Sequence, residues 1–304
     1  MMKKAVVTGG AGFIGSHLVD KLIKMGISVS IIDDLSSGKI ENINQNADLW
    51  KKDLATVDID ALTKYMQGVD CVFHCAAKAR VQPSIENPLP FNKANVDGTL
   101  KTLIASNKSG VKKFIYSASS SCYGDTKILP TPENAPIDPL SPYALQKYIG
   151  EEYCRLFSKL YELDTVCLRY FNIYGERMPS DGSAYSLVLS VWERQYKNNE
   201  PLNITNNGNQ RRDFTHVDDV VEANIIAATN NKKFNGESFN IGTGKSLSIN
   251  EVADMIGREK IYGEKRIEPF ETLADNKKAI LKLGWKPKRN FKKFIEGRFR
   301  WKIL

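Results

Sequence analysis

The sequence lacks the features that define several classes of protein. No apolar stretch approaches the roughly 18 residues needed to span a membrane, and no charged and apolar leader precedes Val6. The five cysteines are odd in number and show no paired zinc-ligand spacing, which argues against a disulfide framework. With only 12 prolines, and with 42% hydrophobic and 26% charged side chains, the chain is neither disordered nor fibrous. We expect a soluble, cytoplasmic protein with buried thiols and no metal.

Acidic side chains are in the minority, and the net charge is +8. Residues 286–304 carry eight Lys and Arg side chains against Glu296 alone, so this segment accounts for nearly all of the excess. Nucleic-acid binding calls for a chain-wide basic stripe with stacking aromatics, whereas a short basic run is typical of a solvated face. We therefore expect no nucleic-acid partner.

Short β-branched runs alternate with amphipathic stretches through the first half of the chain. The runs are AVVT (5–8), SVSII (28–32), CVF (71–73), KFIYS (113–117) and TVCLRY (165–170), with helical patterns near 14–25, 92–109 and 143–161. This alternation predicts an α/β fold with a doubly wound parallel sheet of the Rossmann type. Beyond residue 172 the alternation of β-branched runs with helical patterns becomes less regular. We predict a dinucleotide-binding domain over 1–172 and a smaller substrate lobe over 173–304, with about 214–241 packing back onto the first domain.

A glycine-rich loop, TGGAGFIG at 8–15, follows the first strand. Glycine lets the backbone approach a ligand closely, and the helix that follows points unpaired N–H groups and a positive dipole end at an anion. The pattern fits GxGxxG from Gly10 or GxxGxxG from Gly9, and both registers use Gly12 and Gly15. The loop predicts a binding site for a dinucleotide diphosphate.

An acidic residue ends the second predicted strand. Asp33 lies 18 residues beyond Gly15, where a carboxylate can accept hydrogen bonds from the hydroxyls of the adenosine ribose. A carboxylate there repels the 2′-phosphate of NADP, and no Arg follows before Arg80. These features favour NAD. Asp53, after the third strand, is either an adenine contact or a solvated surface residue.

A tyrosine and a lysine share one face of a predicted helix. Tyr143 and Lys147 lie four residues apart in SPYALQK (141–147). An ammonium beside a phenol favours the phenolate and lowers its pKa from about 10. The serines of SASSSCYG (117–124) can orient a substrate alcohol at the end of the preceding strand. Together with the glycine loop and Asp33, these residues predict a catalytic site.

These motifs resemble those of the extended short-chain dehydrogenase/reductase superfamily. Within it, the chain is similar to nucleotide-sugar 4-epimerases that act on UDP-galactose or UDP-N-acetylhexosamines. The resemblance runs through TGGAGFIG, FHCAAKARVQPS (73–84), NVDGT (95–99), SASSSCYG, YALQK, LRYFNIYG (168–175), QRRDFTHVDDV (210–220) and LGWKP (283–287). It covers nearly the whole chain and implies NAD as cofactor and a UDP-sugar as substrate.

The resemblance implies a role for each matching residue of the cofactor and catalytic sites. Ser119 would be the catalytic hydroxyl, Tyr143 the acid/base and Lys147 its partner. The implied cofactor-binding residues are Gly9, Gly12, Phe13, Ile14, Gly15, Asp33, Asp53, Leu54, Ala76, Ala77, Lys78, Asn95, Tyr143 and Lys147.

The implied substrate residues are Ser119, Asn172, Arg212 and Thr272. Arg212 would hold the UDP diphosphate through charge-assisted hydrogen bonds. Thr272, two positions before an alanine–aspartate pair at 274–275, would stand beside carbon 2 of the sugar. In this family a Tyr at that position excludes N-acetyl groups and a small residue admits them, which implies turnover of UDP-GlcNAc and UDP-GalNAc.

The chain departs from the family in one motif. Where an RxGD-like pattern is usual, it reads KRIEPFETLAD at 265–275. The second diphosphate ligand is therefore Lys265 or Arg266. A shift of one residue would place Glu271 or Leu273 in the sugar gate instead of Thr272.

The reaction implied by the resemblance has no net redox change. Tyr143, as phenolate, would take the proton of the sugar's 4-hydroxyl while carbon 4 passes a hydride to the nicotinamide. The resulting 4-keto sugar would turn over while Arg212 anchors the diphosphate, and the hydride would return to the other face.

Sister activities are the alternatives. Nucleotide-sugar 4,6-dehydratases and UDP-glucuronate decarboxylases place a carboxylate directly after the catalytic hydroxyl, where this chain has Ser120 and Ser121. A UDP-glucuronate epimerase shares the oxidation step. A non-catalytic dinucleotide-binding protein would lack Tyr143 or Lys147, and both are present. The family usually pairs the helices near 92–109 and 143–161 of two subunits, which implies a homodimer.

Overall fold

A seven-stranded parallel sheet forms the centre of the computed structural model, which describes residues 2–179, 187–266 and 268–299. In chain order the strands are β1 (Lys4–Thr8), β2 (Ser28–Asp33), β3 (Asp48–Lys51), β4 (Cys71–His74), β5 (Lys113–Ser119), β6 (Asp164–Tyr170), β7 (Ile173–Tyr174), β8 (Leu202–Ile204), β9 (Arg211–Arg212), β10 (Thr215–His216), β11 (Glu237–Ile241), β12 (Leu247–Ser248), β13 (Lys260–Tyr262) and β14 (Glu271–Thr272). The central order is β11-β6-β5-β4-β1-β2-β3, with all pairs parallel. This confirms the predicted Rossmann-type sheet.

Helices cover both faces of this sheet. In chain order, the helices of the described residues are α1 (Phe13–Lys24), α2 (Ile59–Tyr65), α3 (Val81–Glu86), α4 (Pro88–Asn92), α5 (Gly98–Lys108), α6 (Pro142–Tyr161), α7 (Val188–Lys197), α8 (Val217–Thr229), α9 (Ile249–Ile256) and α10 (Phe291–Phe299). Short 3₁₀ turns occupy Ile40–Asn42 and Ser120–Tyr123, and π-helical turns occupy Lys93–Asp97 and Ala279–Leu283.

Successive side chains of β1 point to opposite faces of the sheet, and each face packs against its own layer of helices. Val7 packs with α1 and α8 in one core, whereas Val6 packs with α2, α5 and α6 in the other. Because successive side chains of a strand point to opposite faces, a strand with apolar residues at both positions is buried on both faces. Because all seven strands are parallel, their carboxyl ends emerge together at one edge of the sheet, where α/β folds bind ligands.

The chain returns to the first sheet after leaving it. β11 joins as the seventh strand beside β6, with Glu237 opposite Val166 and Ile241 opposite Tyr170, and α8 packs against α1. A third apolar cluster around Trp192 lies among the C-terminal elements α7, α9 and α10. The division of the chain at 172 into a cofactor domain and a substrate lobe stays a prediction.

Among the described residues, no helix is both long and apolar enough to cross a bilayer, and no group of three or more His, Cys, Asp or Glu is placed to hold a metal ion. The cytoplasmic location stays a prediction. The cysteines are free thiols, buried at Cys71, Cys122, Cys154 and Cys167 and partly exposed at Cys75. Of the basic segment at 286–304, residues 300–304 lie outside the described part of the chain.

Candidate functional site

The glycine loop joins β1 to an uncapped helix. α1 begins at Phe13 with Gly12 as its N-cap, no side chain caps it, and its first turn holds no acidic residue. The N–H groups of this turn are therefore free of intrahelical partners and suited to an anion. A Cβ on Gly9 would lie 2.7 Å from the backbone nitrogen of Ala76, and one on Gly15 would lie 2.1 Å from the carbonyl oxygen of Gly9. The loop has room for backbone only, as a dinucleotide diphosphate requires.

Asp33 ends β2 beside this loop and is only 6% exposed. Its carboxylate accepts hydrogen bonds from the backbone N–H groups of Ala11 (2.9 Å) and Leu35 (2.8 Å). Burial raises the pKa of Asp33, and these two hydrogen bonds act against that shift. The carboxylate thus lies beside the glycine loop, and its contact with the ribose stays a prediction. Asp53 is exposed and accepts a hydrogen bond from the backbone N–H of Ala55 (2.9 Å), so its adenine role stays a prediction.

The Asn95 side chain forms two hydrogen bonds with the loop that follows β4. Asn95 is 1% exposed. Its side chain accepts a hydrogen bond from the Lys78 N–H (2.8 Å) and donates one to the Lys78 carbonyl (3.1 Å). The backbone N–H of Ala76 donates to the Thr8 hydroxyl (3.2 Å), which lies next to the glycine loop. The predicted cofactor residues after β1 and β4 are thus brought together, with Lys78 held by its backbone.

The candidate catalytic hydroxyls meet at the carboxyl end of β5. Ser119 ends this strand and accepts hydrogen bonds from the N–H (3.2 Å) and the hydroxyl (2.9 Å) of Ser121. Tyr143 lies in the first turn of α6, which begins with Pro142 and is capped by Ser141. The Ser119 hydroxyl lies close enough to the Tyr143 phenol to lower the pKa of that phenol.

Burial and two neighbouring side chains act on the pKa of Tyr143. Burial raises this pKa, and the Ser119 hydroxyl and the Arg80 guanidinium lower it. Lys147 is 4% exposed, and its ammonium lies 4.6 Å from the centre of the Tyr116 ring. Burial lowers the pKa of Lys147 to about 8. Arg80 thus adds a positive charge that lowers the pKa of the phenol, and the influence of Lys147 on Tyr143 stays a prediction.

Two of the predicted substrate residues are in direct contact. The Asn172 side chain donates hydrogen bonds to the Thr272 hydroxyl (2.7 Å) and to the Asp213 carbonyl (3.2 Å). β14 runs parallel to β9, with Thr272 opposite Arg212 and Glu271 opposite Arg211.

The neighbouring residue of β14 has different partners. Glu271 accepts a hydrogen bond from the Ser246 hydroxyl and lies 3.6 Å from the Arg211 guanidinium. Because side chains alternate along a strand, Thr272 is the β14 residue whose side chain reaches Asn172. This arrangement supports the register that assigns Thr272 to the sugar gate.

Arg212 carries an ion pair that the sequence analysis did not anticipate. It is 8% exposed and donates hydrogen bonds to the Glu268 carboxylate and to the Arg211 carbonyl (2.8 Å). Glu268 also accepts a hydrogen bond from the Asn206 amide (2.7 Å). Lys265 and Arg266 are both exposed, and the choice between them as second diphosphate ligand stays open.

Three further residues were missed at the sequence level. Glu268 stands three positions after Lys265, where the acidic residue of an RxGD-like pattern would fall, so counting back from the alanine–aspartate pair could have found it. Asp213 is fully buried and accepts hydrogen bonds from the N–H groups of Gly244 (2.9 Å) and Ala274 (3.1 Å). For Arg80, no sequence signal marks its proximity to Tyr143.

A family model described as the NAD dependent epimerase/dehydratase family matches residues 5–242. The chain belongs to this family. A putative UDP-glucose 4-epimerase of Methanocaldococcus jannaschii is 41% identical over 304 residues, with 97% of each chain covered. The relationship to nucleotide-sugar 4-epimerases, inferred above from sequence motifs, is thereby confirmed.

Solved structures agree with this assignment. UDP-glucose 4-epimerase of Thermotoga maritima with UDP-glucose superimposes with a TM-score of 0.91 at 37% identity, covering 98% of both chains. UDP-N-acetylglucosamine 4-epimerase of Methanobrevibacter ruminantium M1, in complex with UDP-N-acetylmuramic acid, gives a TM-score of 0.91 at 38% identity, covering 99% of this chain and 98% of the other. The roles of the individual site residues remain predictions.

Proposed function

We propose that this chain is an NAD-dependent 4-epimerase of UDP-sugars that turns over UDP-N-acetylhexosamines as well as UDP-hexoses. The pairing of Ser119 with Tyr143 at the carboxyl edge of the sheet carries the proposal. Such a pair can bind a sugar hydroxyl and move its proton, and the glycine loop and the buried Asp33 fit NAD beside it. Membership of the family and the relatives described above support the reaction class.

Each residue of the site has a separate role in the proposed reaction. Bound NAD would supply the acceptor and donor for the hydride of carbon 4 of the sugar. Tyr143 accepts the proton of the 4-hydroxyl at its phenolic oxygen and returns it after the sugar has turned. Ser119, held by Ser121, orients that hydroxyl. Arg212 stays fixed by Glu268 and anchors the diphosphate while the hexose rotates.

The lyase alternatives need a carboxylate that is absent here. Ser120 and Ser121 occupy the positions directly after Ser119. The nearest following carboxylate, Asp125, is paired with Lys127 and accepts a hydrogen bond from the backbone N–H of Phe270 (2.8 Å). Elimination of water requires a positioned acid and base, so this segment favours epimerisation.

The decisive experiment separates the products by chromatography. The protein is incubated separately with UDP-Glc, UDP-GlcNAc and UDP-glucuronate. We expect the 4-epimers of the first two and no loss of water or carbon dioxide from any. A dehydrated product or a pentose nucleotide would show lyase chemistry, and no turnover of any substrate would overturn the proposal.

Purified protein should retain NAD. A cofactor that is regenerated in each turnover need not leave the site. Replacing Asp33 by Ala should weaken NAD binding by about tenfold or more, because ribose hydroxyls lose a charged acceptor. Denaturing the protein and assaying the supernatant identifies the cofactor. Recovery of NADP, or undiminished NAD affinity in Asp33→Ala, would contradict the ribose assignment.

Replacing Arg80 by Gln should raise the pKa of Tyr143. Arg80 precedes α3, whose Ser84 hydroxyl accepts a hydrogen bond from the Tyr143 N–H (3.1 Å), so its charge lies beside the phenol. Loss of this charge disfavours the phenolate, and the ascending limb of kcat/KM against pH should move upward by up to about one unit. Arg80→Lys keeps the charge and should restore the profile. An unshifted limb in Arg80→Gln would rule out this influence.

We also propose that two copies of the chain pair through α6. Leu145, Ile149, Leu156 and Leu160 share one face of this helix, and Leu145 and Leu160 are 49% and 57% exposed. An apolar face of this length suits the four-helix bundle of a dimer. Light scattering should give twice the chain mass of 34.1 kDa, and Leu156→Glu should shift it toward the monomer. A monomeric native protein would refute the pairing.

A further inference from the structure

A buried chain of hydrogen bonds passes through His74, which the proposed reaction does not use. His74 is the last residue of β4 and is fully buried. Its Nδ1 lies 2.8 Å from the Thr8 hydroxyl and its Nε2 lies 2.9 Å from the Thr99 hydroxyl. Both ring nitrogens are therefore engaged by side chains from other elements.

The direction of each hydrogen bond follows from counting protons. The Thr99 hydroxyl donates its single proton to the Asn95 carbonyl (2.7 Å), so it must accept from Nε2–H of His74. A neutral ring then has no proton on Nδ1, which accepts from the Thr8 hydroxyl. The Thr8 oxygen in turn accepts from the Ala76 N–H (3.2 Å). One tautomer of His74 satisfies every group. Burial lowers the pKa of His74 to about 3, which keeps the ring neutral.

The two ends of this chain reach the functional site. One end is Ala76, in the loop after β4. The other is Asn95, whose side chain binds both backbone groups of Lys78 and also donates to the Gln146 amide oxygen (3.0 Å). Gln146 is 4% exposed and precedes Lys147 on α6. The network thus joins the cofactor loop to the helix that bears the candidate acid/base.

We propose that His74, as the Nε2–H tautomer, is a positioning residue that holds the loop at 75–78 in one placement relative to α6. The inference rests on the proposed function only in that this loop forms part of the NAD site. A buried network is rigid when every member is satisfied, and a loop held in its bound conformation loses less entropy on binding.

Helix α5 provides a matched pair of variants. Thr99 and Thr102 are both buried, and each donates to the carbonyl four residues earlier at 2.7 Å. Only Thr99 also accepts a hydrogen bond from His74. Replacing either by Val removes a hydroxyl at constant shape. We expect Thr99→Val to weaken NAD binding by about tenfold, because it leaves Nε2–H unpaired, and Thr102→Val to leave NAD affinity unchanged.

Two measurements test the proposal, and neither needs a substrate. The first is ¹⁵N NMR of the ring nitrogens of the three histidines in the unaltered protein. His17→Gln and His216→Gln variants each lack one set of ring signals, which assigns the remaining set to His74. We expect a protonated Nε2 and an unprotonated Nδ1, and the opposite tautomer would overturn the proposal. The second is the NAD dissociation constant of the variants, with melting temperatures recorded beside it.

Equal loss of NAD affinity in Thr99→Val and Thr102→Val would show that His74 only stabilises the core, contrary to the proposal. Thr99→Ser keeps the hydroxyl and should restore affinity, so failure of that rescue would also count against it. If Thr99→Val does not fold, the Ser variant and the NMR measurement still decide the outcome. If these results hold while no UDP-sugar is turned over, the proposed function fails and the positioning role stands.

Discussion

Replacing Tyr143 by Phe should lower the rate of epimerisation by on the order of a hundredfold or more, since proton transfer by a positioned side chain contributes about 100- to 10,000-fold. The substitution removes the hydroxyl that we propose as acceptor of the 4-hydroxyl proton, and it keeps the aromatic ring at the start of α6. Initial rates with UDP-Glc and UDP-GlcNAc, together with NAD content and melting temperature, measure the effect. Folding and NAD content should stay unchanged.

Tyr148 provides the control. It lies on the same helix, and its phenol is the hydrogen-bond partner of Glu152 rather than of Ser119. Tyr148→Phe removes the same atom and should leave the rate within about twofold of the native value. Ser119→Ala and Lys147→Ala should both be slow. Normal turnover by Tyr143→Phe would show that the acid/base has been assigned to the wrong residue.

Replacing Thr272 by Tyr should abolish turnover of N-acetylhexosamine substrates while sparing UDP-Glc. Thr272 contacts Asn172 and stands opposite Arg212 on the neighbouring strand, so its side chain lies between the two candidate substrate residues. A Tyr ring there would occupy the space of an acetamido group, and such a clash discriminates between substrates that otherwise bind alike. The measured quantity is the kcat/KM for UDP-Glc divided by the kcat/KM for UDP-GlcNAc. A steric block should raise this ratio by about a hundredfold or more.

Two further variants separate bulk from other effects. Thr272→Val removes the hydrogen bond to Asn172 at nearly constant volume and should keep turnover of UDP-GlcNAc. Glu271→Tyr places the same ring on the adjacent residue, which faces Arg211 and Ser246, and should not alter the ratio. Selective loss in Glu271→Tyr, or equal loss on both substrates in Thr272→Tyr, would reject the assignment of the gate.

Short-range sequence patterns were sufficient to predict where the residues of the candidate cofactor site lie in the fold. The alternation of apolar runs reports strands buried on both faces, and it predicted the parallel sheet. The glycines at 9, 12 and 15 and the acidic end of β2 follow each other along one βαβ unit, so their spacing determines where they lie. The same holds for Tyr143 and Lys147, whose separation on one helix places them in the same face of α6.

The influence of Arg80 on Tyr143 was not predicted, because helical spacing does not report which charges surround a buried group. Arg80 precedes α3, which packs against the start of α6, and its charge lowers the pKa of the phenol; the Lys147 ammonium lies 4.6 Å from the centre of the Tyr116 ring. Burial raises the pKa of the phenol and lowers that of the ammonium, in opposition to the effect expected from the pair alone.

The sequence by itself was enough to predict the fold class, the family and the candidate catalytic residues Ser119, Tyr143 and Lys147. Each of these predictions depends on motifs whose residues are close together in the chain. Only the tertiary structure decided that Glu268 pairs with Arg212, that Thr272 contacts Asn172, and that hydrogen bonds through His74 connect the loop after β4 to α6. Those contacts join residues far apart in sequence. Their existence depends on how the strands and loops pack, which no local spacing records.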